Sequence, residues 1–307
     1  VIATLGDLLE DIVVRPIVAP EAGTDTPSLI DHRRGGSAAN VAAMVSRRGG
    51  QARFIGCVGQ DARGAALVHE LSSDGVDLRV SYSAVEPTGT IVVTIDSLGE
   101  RSFYTSRGAS TQLMDYRPDW LDGVSALHIP AYSFSQEPIS LTATTTAINA
   151  RNRGIQISLD ASSTGLLMDM PPDAFHALVR VLEPDVVVAN ASEAALLGLR
   201  EGKPQRGAKL TIITRGANAT LLIEPDGTTH AVDVEPVDTV IDTTGAGDAF
   251  TSGWLMARTA GADIHEATQQ GHELAALVLN QTGASIPPLT SASGAEARNA
   301  AETSNTK

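Results

Sequence analysis

The chain has 307 residues and a mass of 31.9 kDa, with 42% hydrophobic and 19% charged residues, enough apolar material to bury a large core. A formal charge of −14 and a pI near 4.8 argue against a face that binds nucleic acid, because neutralising phosphates takes clustered Lys and Arg. Cys57 is the only cysteine, which excludes an intrachain disulfide, and no apolar run is long enough to cross a membrane, so the expectation is a cytoplasmic protein.

Val1 to Leu5 reads as a buried strand ending at Gly6, and Asp7, Glu10 and Asp11 crowd its end. In parallel α/β sheets that end is where ligands bind. The paired glycines Gly35-Gly36 precede a small-residue helix with Asn40 in its first turns, where small side chains allow close approach to the backbone. Phe54 to Gly59 and Ala62 to Ser72 then continue as strand and helix. The runs Thr88 to Asp96 and Arg101 to Thr105 form a hairpin with no helix between them. This break in the βα rhythm predicts a small antiparallel layer, joined by strands from Ile12 to Ile30, with Arg107 just beyond it.

The alternation resumes with a strand at Ala126 to Ile129, a helix near Ile139 to Arg151, and strands at Ile155 to Asp160 and Val186 to Asn190. Asn190 and Glu193 have the spacing of a reciprocal cap at the start of a helix over Ala194 to Leu199. Both also lie at a strand's carboxyl end, where they could orient metal-bound water beside a triphosphate. Leu210 to Thr214 runs into Arg215-Gly216-Ala217 and pairs back with Thr220 to Ile223, and a last helix spans His265 to Leu279.

Between them stands Val240-Ile241-Asp242-Thr243-Thr244-Gly245-Ala246-Gly247-Asp248-Ala249-Phe250. Two β-branched residues lead into a glycine turn that opens a helix, and the unpaired amides of a helix start favour an anion. A carboxylate there repels the anion unless it has its own task, and Asp248 can take the proton from a hydroxyl that attacks a phosphoryl group. The stretch has neither the Lys-Ser or Lys-Thr of a P-loop nor the third glycine of Gly-x-Gly-x-x-Gly, whose place Phe250 takes.

Asp242-Thr243-Thr244-Gly245-Ala246-Gly247-Asp248, together with Gly35 to Asn40, Asn190 with Glu193, and Thr214-Arg215-Gly216, resembles the ribokinase family of sugar and nucleoside kinases, the PfkB carbohydrate kinases. The resemblance runs from Gly6 to about Ser285. It implies a three-layer ribokinase-like α/β fold over residues 1–290, a mostly parallel sheet flanked by helices, with β-lid strands inserted at about 12–34 and 88–106. Residues 291–307 are expected to form a mobile tail.

What the resemblance implies about function is ATP-dependent phosphorylation of a hydroxymethyl group on a small sugar such as ribose or fructose. A nucleoside kinase, a 2-keto-3-deoxy sugar-acid kinase and a non-catalytic sugar-binding or regulatory protein are the alternatives. Asp248 would be the base, and Gly245, Ala246 and Gly247 the anion hole. Asp11, Gly36, Asn40, Tyr104 and Arg107 would meet the substrate. Asn190, Thr214, Arg215, Gly216, Ala217 and His272 would line the nucleotide site, His272 standing where many members carry Asn. Glu193 and Asn190 would serve Mg2+ through water, and Asp242, Thr244 and Ser285 a monovalent cation such as K+. A homodimer through the lid is the implied assembly.

Overall fold

The computed structural model describes residues 1–281 and 283–287, so the expected tail lies outside the described residues. The first part of the chain builds β1 (Ile2–Leu5), β2 (Leu9–Pro16), β3 (Ser28–Gly35), α1 (Ser37–Arg47), β4 (Ala52–Gly59) and α2 (Ala62–Ser73). Next come β5 (Asp77–Ser83), β6 (Thr88–Ile95), β7 (Arg101–Gly108), β8 (Ala126–Pro130), α3 (Ile139–Asn152) and β9 (Gln156–Asp160). The remainder forms α4 (Thr164–Asp169), α5 (Pro172–Leu182), β10 (Val186–Asn190), α6 (Ala191–Leu196), β11 (Thr211–Arg215), β12 (Asn218–Ile223), β13 (Thr229–Val232), α7 (Ala246–Thr259) and α8 (Ile264–Leu279).

The larger sheet has the order β13-β12-β11-β10-β9-β8-β1-β4-β5. Every pair from β11 to β5 is parallel, and β12 runs against both its neighbours. Helices cover both faces, which is why β1 and β4 are mostly apolar and buried along their whole length. Strand alternation divides the core in two. On β4, Ile55 and Cys57 pack with α3 and α5, while Phe54 and Val58 pack with α1, α2 and α7. The result is a three-layer α/β fold whose parallel strands deliver their carboxyl ends to one edge.

The second sheet is the smaller one, β3-β2-β6-β7, and it contains the hairpin that broke the βα rhythm. Asp11, Val13, Val93 and Phe103 share one face of it, and that face lines a cavity of about 370 Å3. No helix among the described residues is long and apolar enough to cross a membrane.

Elements missing from the sequence expectations include β5, α4, and α5 with its buried Phe175, Val179 and Leu182. The helix expected at Ala194 to Leu199 is displaced to Ala191–Leu196. Its cap explains the shift, because Asn190 accepts from the amides of Ser192 and Glu193 while Glu193 reaches back to the amide of Asn190, so winding starts immediately after Asn190.

Candidate active site

At the mouth of α7 the backbone is set by Gly245, at φ +81°, in the left-handed region that L side chains avoid. A Cβ there would stand 2.4 Å from the Cβ of Ala284, so the turn also packs too closely for any other residue. The amide of Ala246 turns back to the carbonyl of Thr243 at 3.2 Å. The amides of Gly247 and Asp248 have no partner among the described residues, and no side chain caps the helix. Of the three residues expected to form the anion hole, Ala246 thus spends its donor inside the turn, while the amides of Gly245 and Gly247, with that of Asp248, have no partner among the described residues. Amides without partners at the positive end of a 14-residue helix are suited to donate to phosphate oxygens.

Asp248 is held from α1: the Ser37 hydroxyl donates to Oδ1 at 2.6 Å and Asn40 Nδ2 donates to Oδ2 at 2.9 Å. Both donors lie on one face of α1 because they are three residues apart. The helix can start there only because Gly36, at φ +100°, takes a place where a Cβ would be 2.2 Å from the carbonyl oxygen of Asp7. Asp11 approaches from β2, its carboxylate so close to Gly35 that a Cβ would fall 2.3 Å from Oδ1. Asp11 Oδ1 and Asn40 Oδ1 are buried and have no hydrogen-bond partner among the described residues. Such acceptors are open to a donor from a bound ligand.

Burial pushes the Asp248 carboxyl up to about 6, against the hydrogen bonds from Ser37 and Asn40. Burial first and the Asp248 charge second raise Asp11 to about 6, with Arg33 opposing. A base must be deprotonated to accept a proton, so kcat/KM is expected to fall roughly tenfold per unit below about pH 6 and to level above it. The observed midpoint belongs to the Asp11 and Asp248 pair together. A profile recorded from pH 5 to 8 that stays flat would remove the base from Asp248.

On the other side of the turn lies a cavity of about 820 Å3, lined in part by Asn190, Thr214, Gly216, Gly247, Phe250 and His272. Its size is that of a small-molecule site. His272 Nε2 and the Thr220 hydroxyl are hydrogen-bonded at 2.8 Å, and burial lowers the imidazole's pKa against a hydrogen bond involving the Asp233 backbone. A neutral ring is therefore what the cavity sees. Arg215 and Ala217, expected in the nucleotide lining, are placed otherwise: Arg215 Nε donates to the carbonyl of Ala219 at 2.7 Å, and Ala217 is exposed at the tip between β11 and β12.

Asp160, at the carboxyl end of β9, stands near Glu193. Burial raises both carboxyls, Asp160 further through the negative charge of Glu193, while hydrogen bonds from Asn190 work the other way on Glu193. The Glu193 oxygens accept from the Asn190 amide at 2.8 Å and from Asn190 Nδ2 at 2.6 Å. Among the described residues no group of three or more His, Cys, Asp or Glu is placed to hold a metal by itself. Because Asn190 already occupies the Glu193 oxygens, the carboxyls of Asp160 and Glu193 fit Mg2+ only through intervening water, the ion being otherwise held by phosphates.

Two expected substrate residues do not offer a free donor on the Asp11 face. Tyr104 is 63% exposed and, one residue from Phe103 on an alternating strand, points to the opposite face of the small sheet from Asp11. Arg107 makes a two-pronged pair with Asp7 at 2.7 and 2.9 Å and donates to the Tyr132 carbonyl and the Ser135 hydroxyl. The residues expected around a monovalent cation are bonded to arginines instead, Asp242 and Thr244 to Arg101 and Ser285 to Arg47. Ser37, Asp160 and Arg101 belong to the site without having been read from the sequence. Only Asp160 carried a usable signal, its place at a strand's carboxyl end.

The family profile described as "pfkB family carbohydrate kinase" matches residues 5–291. A fructokinase from Salmonella typhimurium is 32% identical over 238 residues, 74% of this chain and 77% of that protein. An adenosine kinase from Sinorhizobium meliloti superposes with a TM-score of 0.80 at 26% identity, covering 97% of this chain and 98% of that one. An uncharacterized sugar kinase from Pyrococcus horikoshii, solved in complex with ATP, superposes with a TM-score of 0.78 at 26% identity, covering 94% and 95%.

Proposed function

Because this chain belongs to the pfkB family of carbohydrate kinases and is an ATP-dependent sugar or nucleoside kinase, we propose that it phosphorylates a hydroxymethyl group of a small sugar such as fructose or ribose. The observation that carries the reading is the pair of buried acceptors without partners, Asp11 Oδ1 and Asn40 Oδ1, beside Asp248. Acceptors set that way select a polyol, since each hydroxyl brings one donor. The fructokinase likeness supports the same class. Neither residue that would favour a sugar acid, Tyr104 or Arg107, offers a free donor toward Asp11.

The acceptor hydroxyl gives its proton to an Asp248 oxygen as its own oxygen bonds to the γ-phosphorus, and the bond from that phosphorus to the β–γ bridging oxygen breaks to leave ADP. The Gly247 and Asp248 amides take up charge on the phosphoryl oxygens, a donation that needs no rearrangement during the reaction. Asn190, Glu193 and Asp160 would hold Mg2+ through water, and the ion would neutralise phosphate charge. The small sheet, with Val13, Val93 and Phe103 on its inner face, keeps water from competing as acceptor. A homodimer through the lid is part of the proposal, supported by exposed Ile30 and Tyr104 on its outer face.

The test is ADP release across pentoses, hexoses, sugar acids and nucleosides at saturating MgATP. Fructose or ribose is expected to give the highest kcat/KM. A nucleoside or a sugar acid exceeding every neutral sugar would overturn the assignment.

A further inference from the structure

The oxygens that would surround a monovalent cation beside the anion hole already face N–H donors. Asp242 Oδ1 accepts from Arg101 Nη2 at 2.8 Å and from the Thr244 amide at 2.8 Å, and Oδ2 accepts from the Gly283 amide at 2.9 Å. Thr244 Oγ1 accepts from Arg101 Nη1 at 2.5 Å, and Ser285 Oγ from Arg47 Nη1 at 2.8 Å. Such a cation needs those same lone pairs, so Asp242, Thr244 and Ser285 do not fit one. Burial of Asp242 raises its pKa, but the hydrogen bonds from Thr244, Gly283 and Arg101 outweigh it and hold the carboxyl well below the usual range.

Arg101 is not a member of that loop. It is the first residue of β7, opposite Ile95 in the small sheet, and it crosses 141 positions of sequence to reach Asp242. Its guanidinium is charged at every working pH and presents its two terminal nitrogens to two residues at once. Both, Asp242 and Thr244, lie immediately before Gly245, the residue whose conformation aims the Gly247 and Asp248 amides. Asp242 meanwhile ties Gly283, next to the Ala284 that packs on Gly245. The lid, the loop at Gly283 and the turn are thus joined through one carboxylate.

We propose that Arg101 is a built-in cation: it neutralises Asp242 and fixes the turn, so that seating the lid and completing the anion hole are one event and the enzyme needs no K+. Arg101 is a positioning residue, acting through Asp242 and Thr244 on the amides that meet the phosphoryl group. The part that concerns turnover rests on the kinase reading above; the part that concerns the charge at Asp242 does not.

The experiment compares the full chain with Arg101→Ala and Arg101→Lys in potassium chloride and in tetramethylammonium chloride at equal ionic strength, reading kcat, acceptor KM and Tm. The unsubstituted protein is expected to show the same kcat and Tm in both salts. Arg101→Ala should lose about 100-fold in kcat in tetramethylammonium, the scale of a displaced anion-hole donor, with a smaller change in KM. Potassium should restore part of that loss and raise the Tm of this variant, because the freed oxygens can then take the ion. Arg101→Lys, with one cationic nitrogen instead of a fork, should fall between. Potassium activation of the unsubstituted protein, or an Arg101→Ala variant with unchanged kcat or with no potassium effect on kcat and Tm, would overturn the proposal. If no acceptor is turned over at all, the kinase reading fails, and the potassium-dependent Tm confined to Arg101→Ala still decides this one.

Discussion

Asp248→Asn is expected to lower kcat by about 10²- to 10⁴-fold, the usual contribution of a positioned general base. Acceptor KM should change far less. The amide retains one oxygen for a hydrogen bond from α1 and removes the atom that receives the proton, so binding and chemistry separate. Folding should not suffer. The carboxyl sits near 6 in the folded chain against an ordinary 3.8, so its contribution to stability is present below about 3.8 and lost as the pH rises through about 6. At pH 7 the native state bears a charge withdrawn from water, and the neutral amide relieves it. The variant is therefore expected to melt at or above the temperature of the unsubstituted protein at pH 7. Steady-state kinetics and thermal melts check both halves, and near-normal kcat in a folded variant would defeat the assignment of the base.

Gly245→Ala should be damaged in two ways that can be measured apart. A non-glycine residue at φ +81° costs about 1–3 kcal/mol, and the added Cβ meets Ala284 at 2.4 Å, so Tm should drop. The turn must shift to relieve that contact, and the Gly247 and Asp248 amides shift with it. A misaimed donor pair is expected to cost about 10²- to 10³-fold in kcat. Gly247→Ala supplies the contrast. A Cβ at Gly247 meets nothing within 4 Å, so stability should hold. That open space borders the nucleotide cavity, however, and a methyl group there would crowd the phosphates. Loss of kcat without loss of Tm at Gly247, against loss of both at Gly245, would separate the cradle's shape from its stability. Equal behaviour of the two variants would contradict the geometry described for the turn.

Several parts of the site were legible because local chemistry spells them out. Asn190 and Glu193 have the spacing of a reciprocal cap at a helix start, and the structure shows both halves of it. The hairpin at Thr88 to Gly108 announced a second sheet because two strands followed each other without a helix. Tyr104 and Arg107 are placed away from the expected substrate side for reasons that lie outside their own segment. The face of Tyr104 depends on the register of β7 against β6, and a one-residue change in parity turns a lining side chain outward. Arg107 looks like a free cation until the fold brings Asp7 across 100 positions of sequence to neutralise it.

The amino-acid sequence by itself determined the alternation of strands and helices, the turn Asp242-Thr243-Thr244-Gly245-Ala246-Gly247-Asp248 and its anion-binding helix start. Most of that alternation, and a helix start suited to an anion, follow from periodicity, glycine conformation and the dipole of a helix end, all properties of contiguous residues. Only the tertiary structure decided what surrounds the turn. Ser37 and Asn40 hold Asp248 from more than 200 positions away, burial and the Asp248 charge raise the pKa of Asp11, and Arg101 takes the oxygens a cation would have used. Hydrogen bonds and Coulomb interactions act over a few ångströms whatever the sequence separation, so these partners become identifiable only once the chain has folded.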